Sequence, residues 1–210
     1  MRRLSPIAAL LVCLISLGAR GQGPPALDTF NSPDGSFQFI YPENYELLVG
    51  ERILKATQGR QAALPVCDFS IAVACVIYPI EGEGESKLEA AGFSVAMLPG
   101  TLNETDCLGF SDPLSRARGA TLTSTSVPIH SRMFRHASAA KRLPGHFQSG
   151  DYYRVYAQQR CYELQVEVSM SEDGVPAPKA PRSATLVDPR ANKARESLQL
   201  ILASVTFGKE

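Results

Sequence analysis

The sequence lacks a charge imbalance and a long apolar run. Its 210 residues carry 21 lysines and arginines against 21 aspartates and glutamates, so no overall field favours a nucleic acid or an anionic membrane as a partner. The apolar run Ile7 to Leu17 has about half of the roughly twenty residues that a bilayer-spanning helix needs. We therefore expect no nucleic-acid partner. We also expect no transmembrane segment in the chain that remains once the N-terminal signal peptide, described below, is removed.

Short motifs of the common enzyme classes are also missing. No Gly-x-Ser-x-Gly element marks a nucleophilic serine, and Ser138-Ala-Ala-Lys141 stands without the companion motifs of penicillin-binding enzymes. No Cys-x-x-Cys or Cys-x-x-His pair begins a zinc site, and on one strand His130 and His136 would lie about 20 Å apart. We predict no catalytic residue, no metal ligand and no cofactor.

The first residues have the pattern of a secretory signal peptide. Arg2 and Arg3 precede the apolar run, and the segment Ala19-Arg20-Gly21, with small residues at 19 and 21, follows it. We expect a signal peptide over 1–21 and a periplasmic or secreted protein. A Gly/Pro-rich segment predicts a flexible lead-in over 22–29, and the remainder predicts one domain over 30–208 with a mobile Pro-rich loop over 171–187.

Four cysteines remain after the predicted signal peptide: Cys67, Cys75, Cys107 and Cys161. An even number in an oxidising compartment predicts two disulfides. If 66–78 is one continuous strand, Cys67 and Cys75 lie about 26 Å apart, beyond the ~7 Å limit for bridged Cα atoms. They would then pair with Cys107 and Cys161 in an order left open, unless the chain doubles back between them.

Alternating apolar and polar residues predict an antiparallel sheet. Strand patterns occupy 37–41, 66–78, 93–98, 123–134, 147–157 and 161–170. In the last of these, Cys161 falls opposite the apolar face that begins at Tyr162, so its disulfide should tie the sheet to a covering segment.

Two sequence patterns predict helices. Ser86-Lys-Leu-Glu89 matches a capping box and predicts a short helix. Asp188 before Pro189, with apolar residues at helical spacing up to Val205, predicts an amphipathic helix that packs on the sheet. The predicted fold class is α+β, an antiparallel sheet flanked by helices in an α-β-α sandwich.

One predicted hairpin carries a candidate recognition surface. Tyr152, Arg154 and Tyr156 alternate along a strand and share one face, whereas Tyr153 faces the other side. Aromatic rings beside a guanidinium group are typical of recognition surfaces. Separately, Asn103-Glu-Thr105 matches the glycosylation acceptor pattern, which is relevant only in a eukaryotic host.

The two ends of the mature chain resemble the PsbP-type family. The resemblance lies in Phe30, in Gly35-Ser-Phe37-Gln-Phe39-Ile-Tyr41-Pro42, in Tyr45, and in a final helix that runs into Ala203-Ser-Val-Thr-Phe207. Tyr45 stands where tryptophan is common in the family, and the four cysteines are a further departure. The resemblance implies a sheet sandwiched by helices and roles in binding and assembly. It implies no catalytic residue.

Three functional hypotheses follow. The leading one is an exported non-enzymatic domain that binds a protein or cell-envelope partner. The second is a carrier or sensor of a small ligand bound between sheet and helices. The third is a hydrolase whose serine site has no recognisable motif, which convergence of Ser, His and an acidic residue would favour.

Overall fold

The computed structural model describes residues 25–53, 66–67, 71–80, 87–100, 103–110, 124–143, 145–171 and 188–208. The predicted signal peptide over 1–21 and all but the first residue of the predicted loop over 171–187 lie outside the described residues. The strands are β1 (Leu27–Asn31), β2 (Phe37–Pro42), β3 (Glu46–Val49), β4 (Ala72–Ile77), β5 (Leu88–Met97), β6 (Thr125–Ile129), β7 (Arg132–Leu143), β8 (His146–Ala157), β9 (Arg160–Ser171) and β10 (Thr206–Phe207), and the helices are α1 (Glu104–Leu108) and α2 (Pro189–Ala203).

The strands form two antiparallel sheets. A large sheet of seven strands has the order β3-β4-β5-β9-β8-β7-β6, and a small sheet of three strands has the order β1-β2-β10. The strands predicted over 147–157 and 161–170 are confirmed as β8 and β9, which pair along their whole length. Antiparallel sheet with separate helices confirms the α+β class.

The main core lies on one face of the large sheet. Along β9, the side chains of Tyr162, Leu164, Val166, Val168 and Met170 share this face and are buried with α2 and the aromatic side chains of β1 and β2. The Phe39 ring of the small sheet meets Phe93 of β5 at a centroid distance of 5.3 Å. The small sheet and α2 therefore cover the same face of the large sheet.

Helix α2 forms where its capping residues predict it. The side chain of Asp188 accepts hydrogen bonds from the backbone N–H groups of Arg190 and Ala191, at 2.7 and 3.4 Å. The other carboxylate oxygen of Asp188 accepts from the backbone N–H of Lys87 at 2.8 Å, which joins the helix start to the segment before β5. Asp188 thus sets both where α2 begins and where it docks.

Both predicted disulfides are present, but the pairing is Cys67 with Cys75 and Cys107 with Cys161. The predicted pairing is wrong because β4 begins only at Ala72, so Cys67 lies outside the strand and its Cα is 6.2 Å from that of Cys75. The chain doubles back, as the stated exception requires. Cys161 lies opposite the main core and holds α1 through Cys107, which confirms that this disulfide ties the sheet to a covering segment.

Three further predictions are corrected. The helix predicted from Ser86-Lys-Leu-Glu89 is wrong, since β5 begins at Leu88. The single strand predicted over 123–134 is the β6–β7 hairpin, with its turn at His130, whose φ is 53°. The lead-in predicted over 22–29 does not hold for Leu27 to Thr29, which belong to β1.

Candidate functional site

Tyr152, Arg154 and Tyr156 share one face of β8, but Tyr152 and Arg154 are buried, so they do not form an exposed recognition surface. The Arg154 Nε donates to Glu163 Oε2 at 2.6 Å, and both side chains are fully buried. The Phe110 ring, just after α1, lies 4.3 Å from Arg154 Cζ, and the Cys107 carbonyl accepts from Arg154 at 3.4 Å. The segment held by the Cys107–Cys161 disulfide therefore covers a buried ion pair.

This ion pair belongs to a polar face formed by β8, β9 and β5. Gln165 Nε2 donates to Glu163 Oε1 at 2.9 Å, and Tyr152 OH donates to Glu167 Oε1 at 2.9 Å. Among the described residues, three buried oxygens of this face have no hydrogen-bond partner, namely Ser94 Oγ, Gln165 Oε1 and Ser169 Oγ. Unsatisfied buried polar groups are rare and cost stability, so this face is unusual for a purely structural core.

A shallow open depression lies beside the polar face, between β7 and β8. Its cavity volume is about 10 Å³, and it is lined by Ala139, Ala140, Lys141, Gln148, Gly150 and Tyr152. Gln148 is the cross-strand neighbour of Ser169, so the depression adjoins one of the unpartnered oxygens. A volume of this size holds about one water molecule, so a larger ligand would need the lining side chains to move.

The side chains of His136, Ser138 and Asp151 converge on the other face of β7 and β8. Ser138 Oγ donates to Asp151 Oδ1 at 2.7 Å. His136 Nε2 lies 3.2 Å from the same carboxylate oxygen and 3.3 Å from Ser138 Oγ. A catalytic triad needs serine bonded to one imidazole nitrogen and the acid bonded to the other. Here one nitrogen faces both partners, so these three side chains are not arranged as a catalytic triad.

The same carboxylate connects the large sheet to α2. Arg195 of α2 donates to Asp151 Oδ2 at 2.5 Å and to Ser149 Oγ at 2.5 Å. Burial opposes ionisation of Asp151, but the His136 and Ser138 hydrogen bonds and the charge of Arg195 outweigh it and lower the pKa of this carboxyl. Burial and the charge of Asp151 raise the pKa of the neighbouring Tyr153 to about 12. The cluster is therefore an ionic contact between sheet and helix.

The other residues considered for catalysis or metal binding do not converge. Ser138 and Lys141 are three positions apart on β7 and face opposite sides of the sheet, which separates the Ser-x-x-Lys pair. His146 pairs with Glu89 at 2.8 Å, and His130 lies in the exposed β6–β7 turn. Within the described ranges, no three His, Cys, Asp or Glu side chains are grouped as a metal site would require.

An exposed apolar patch, not predicted from the sequence, spans the small sheet and the end of α2. We define the outer patch as Leu27, Ile40, Pro42 and Leu200. Leu27 pairs with Pro42 across β1 and β2, and Ile40 shares the outer face of β2 with Pro42. Ser204, at the end of α2, accepts from the Ile40 backbone N–H at 2.8 Å, and Leu200 lies one helical turn before Ser204. Leu27, Ile40 and Leu200 are 63%, 43% and 74% exposed.

A signal for this patch was present in the sequence. On β2, Ile40 stands between the buried Phe39 and Tyr41, so alternation alone places an isoleucine on the outward face. Leu200 similarly falls outside the buried stripe of α2. The patch is assembled only by the pairing of Leu27 with Pro42 and by the Ser204 contact, which join segments far apart in the chain.

No family model and no curated protein sequence matches this chain. Solved structures similar to it include LpqN, involved in cell envelope biogenesis of Mycobacterium tuberculosis, with 9% identity, a TM-score of 0.45, and coverage of 88% of this chain and 91% of LpqN. A protein of Bacteroides thetaiotaomicron has 11% identity and a TM-score of 0.42 over 87% of this chain and 48% of its own.

Cyanobacterial PsbP from Synechocystis sp. PCC 6803 is also similar, with 12% identity, a TM-score of 0.33, and coverage of 90% of this chain and 96% of its own. The PsbP-type fold noted in the sequence is thus represented among the similar structures. Because all three TM-scores are below 0.5, we base the proposals below on the contacts of this chain. Among the described residues, no helix has the length and apolar character of a membrane span.

Proposed function

We propose that this chain is a non-enzymatic domain of the periplasm or extracellular space that binds a protein partner of the cell envelope. The observation that carries the proposal is the outer patch, in which Leu27, Ile40 and Leu200 expose large apolar side chains on three elements. Single exposed apolar residues are ordinary, whereas adjoining ones mark interaction sites. The proposed fold for this role is an α-β-α sandwich, with α2 on one face of the large sheet.

The remaining features fit an exported binding domain. The predicted signal peptide directs the chain to an oxidising compartment, where the two disulfides of the structure are stable. The convergence of His136, Ser138 and Asp151 serves the contact of α2 with the sheet through Arg195, so these side chains are occupied in the folded domain. Binding at the outer patch leaves that contact untouched.

The experiment compares crosslinking in the host cell for two variants. Ile40→Ser combined with Leu200→Ser removes two apolar side chains of the outer patch. Met133→Ser removes an apolar side chain of similar exposure, 58%, on the face of β7 opposite Phe134, which packs against the small sheet. We expect wild type and Met133→Ser to crosslink to the same envelope protein, with at least a tenfold loss for the double variant. Equal crosslinking by all three proteins, or none by wild type, contradicts the proposal.

A second candidate function is transport or sensing of a small polar ligand, which we propose on a separate observation. Ser94, Gln165 and Ser169 hold buried oxygens without partners on the polar face, and the depression between β7 and β8 adjoins it. Native mass spectrometry of the exported protein tests this function. A retained mass that is absent from a Ser169→Ala variant supports it, and a bare wild-type protein contradicts it.

A further inference from the structure

The edge strands of the two sheets differ in how well they are protected against pairing with a further strand. Unpaired edge strands invite a further strand, and proteins block them with proline, charge or short length. At the edges of the large sheet, β6 contains Pro128 and β3 is four residues long, and in the small sheet β10 has two residues. Strand β1 has five residues and no proline, and its one charged side chain is Asp28. Among the described edge strands, β1 is therefore the one open to addition, by a segment whose positive charge offsets Asp28.

The backbone of β1 offers hydrogen bonds in the outward direction. The bonds from Ser32 N to Phe37 O and from Glu43 N to Ala26 O, both 2.9 Å, mark hydrogen-bonded pairs at the two ends of the β1–β2 ladder. Because such pairs alternate along an antiparallel ladder, Leu27, Thr29 and Asn31 direct their backbone groups away from β2.

In the free protein, the Asp28 side chain accepts a hydrogen bond from one of these outward-directed backbone groups. Its Oδ1 accepts from the backbone N–H of Thr29 at 2.7 Å, and its Oδ2 accepts from Tyr41 OH at 3.0 Å. Thr29 is exposed, and its N–H donates to this side chain and not to a neighbouring strand. A carbonyl from an added strand could replace Asp28 Oδ1 with little other rearrangement.

The charge around β1 favours one class of partner. Neither β1 nor β2 contains a lysine or arginine. Asp28 and Glu43 are exposed at this edge, and Asp34, in the turn that joins the strands, is paired with Arg160. The edge therefore complements a positively charged segment, since opposite charges across an interface favour association.

We propose that β1 receives an extended segment of a protein partner as a further strand, with basic side chains alternating with apolar ones. The partner's carbonyl takes the Thr29 N–H, and the released Asp28 Oδ1 pairs with a lysine or arginine of the segment. The apolar side chains, which lie on the face of the added strand opposite the basic ones, pack on Leu27 of the outer patch. This inference rests on the proposed function, because it names how the partner is held at the same surface.

The test uses a labelled peptide of alternating sequence, Lys-Val-Lys-Val-Lys, and fluorescence anisotropy. Thr29→Pro removes only an outward N–H, so the ladder to β2 is kept, and Thr29→Val is the matched control that retains the N–H. We expect wild type and Thr29→Val to bind the peptide, and Thr29→Pro to bind at least tenfold more weakly. Asp28→Asn should weaken binding several-fold, and Glu-Val-Glu-Val-Glu should not bind wild type.

Strand addition is overturned if wild type does not bind the lysine peptide, if Thr29→Pro binds it as wild type does, or if both peptides bind equally. Unchanged melting temperatures confirm that each variant is folded, and Asp28→Asn provides an independent test should Thr29→Pro unfold. In the host cell, a Thr29→Pro variant that still crosslinks to the envelope partner overturns strand addition alone. Absence of any crosslink from wild type overturns the proposed function instead.

Discussion

The side chain of Tyr152 folds back over Gly150 of the same strand, and a Cβ atom added to Gly150 would lie 2.6 Å from the tyrosine hydroxyl. This path brings Tyr152 OH to Glu167, to which it donates at 2.9 Å. The polar face therefore depends on the absence of a side chain at Gly150, because any Cβ there displaces the ring that satisfies Glu167.

Gly150→Ala should lower the free energy of unfolding by about 1–3 kcal/mol, the usual cost of disrupting a buried hydrogen bond to a charged group. Tyr152→Phe is the comparison, because it removes the same hydrogen bond without an added Cβ. Urea unfolding of both variants checks this prediction. We expect Gly150→Ala to cost at least as much as Tyr152→Phe, and a smaller cost would show that the ring tolerates the extra atom.

Removing one partner of the buried Arg154–Glu163 ion pair should destabilise the protein strongly, whereas replacing both residues by apolar ones should change its stability little. Arg154→Met leaves the Glu163 carboxylate without its 2.6 Å partner and should cost about 3–5 kcal/mol. Arg154→Met with Glu163→Leu removes both charges and should recover most of this loss. Chemical denaturation of the two single variants and the double variant tests this prediction. A double variant whose loss of stability equals the sum of the two single losses would contradict it.

The two disulfides should differ in their contribution to stability. Cys107 and Cys161 are 54 residues apart, whereas Cys67 and Cys75 are eight apart. Loop-closure entropy predicts a cost of about 4 kcal/mol for replacing the first pair by alanine and about 2.5 kcal/mol for the second. Thermal unfolding of the two double variants tests the order, and a larger loss from the Cys67–Cys75 pair would contradict the prediction.

Asp151 should make the protein less stable in acid. Because the pKa of Asp151 is lowered in the folded state, its contribution is present above the usual value of 3.8 and is lost as the pH falls through the folded-state pKa. Asp151→Asn should cost about 2 kcal/mol at neutral pH. The difference in the free energy of unfolding between Asp151→Asn and wild type should shrink as the pH falls below 3.8, the usual pKa of an aspartate. A difference that stays constant with pH would contradict this role of Asp151.

Elements with a clear local signal were predictable from the sequence. In β8 and β9, long runs of alternating residues identify strands and faces, and Asp188 with Pro189 identifies the start of α2. In each case the decisive contacts are local. The position of Cys161 opposite Tyr162 was predictable for the same reason, because strand alternation fixes it.

Elements that depend on distant contacts were not predictable. The segment Ser86-Lys-Leu-Glu89 matches a capping box, but Leu88 and Glu89 belong to β5, a strand that is set by its pairing with β4 and β9. The Cys67–Cys75 pairing depends on where β4 begins, which no local pattern marks. The exposed edge at β1 and the Ser204 contact with Ile40 arise only when the two chain ends meet.

Photocrosslinking from a single position tests partner binding at the outer patch most directly. A photoreactive amino acid replaces Ile40 in one strain and Met133 in another, since both side chains are exposed but only Ile40 belongs to the patch. We predict one discrete crosslinked envelope protein from position 40 and none from position 133. No crosslink from position 40, or the same crosslinks from both positions, would contradict the proposed function.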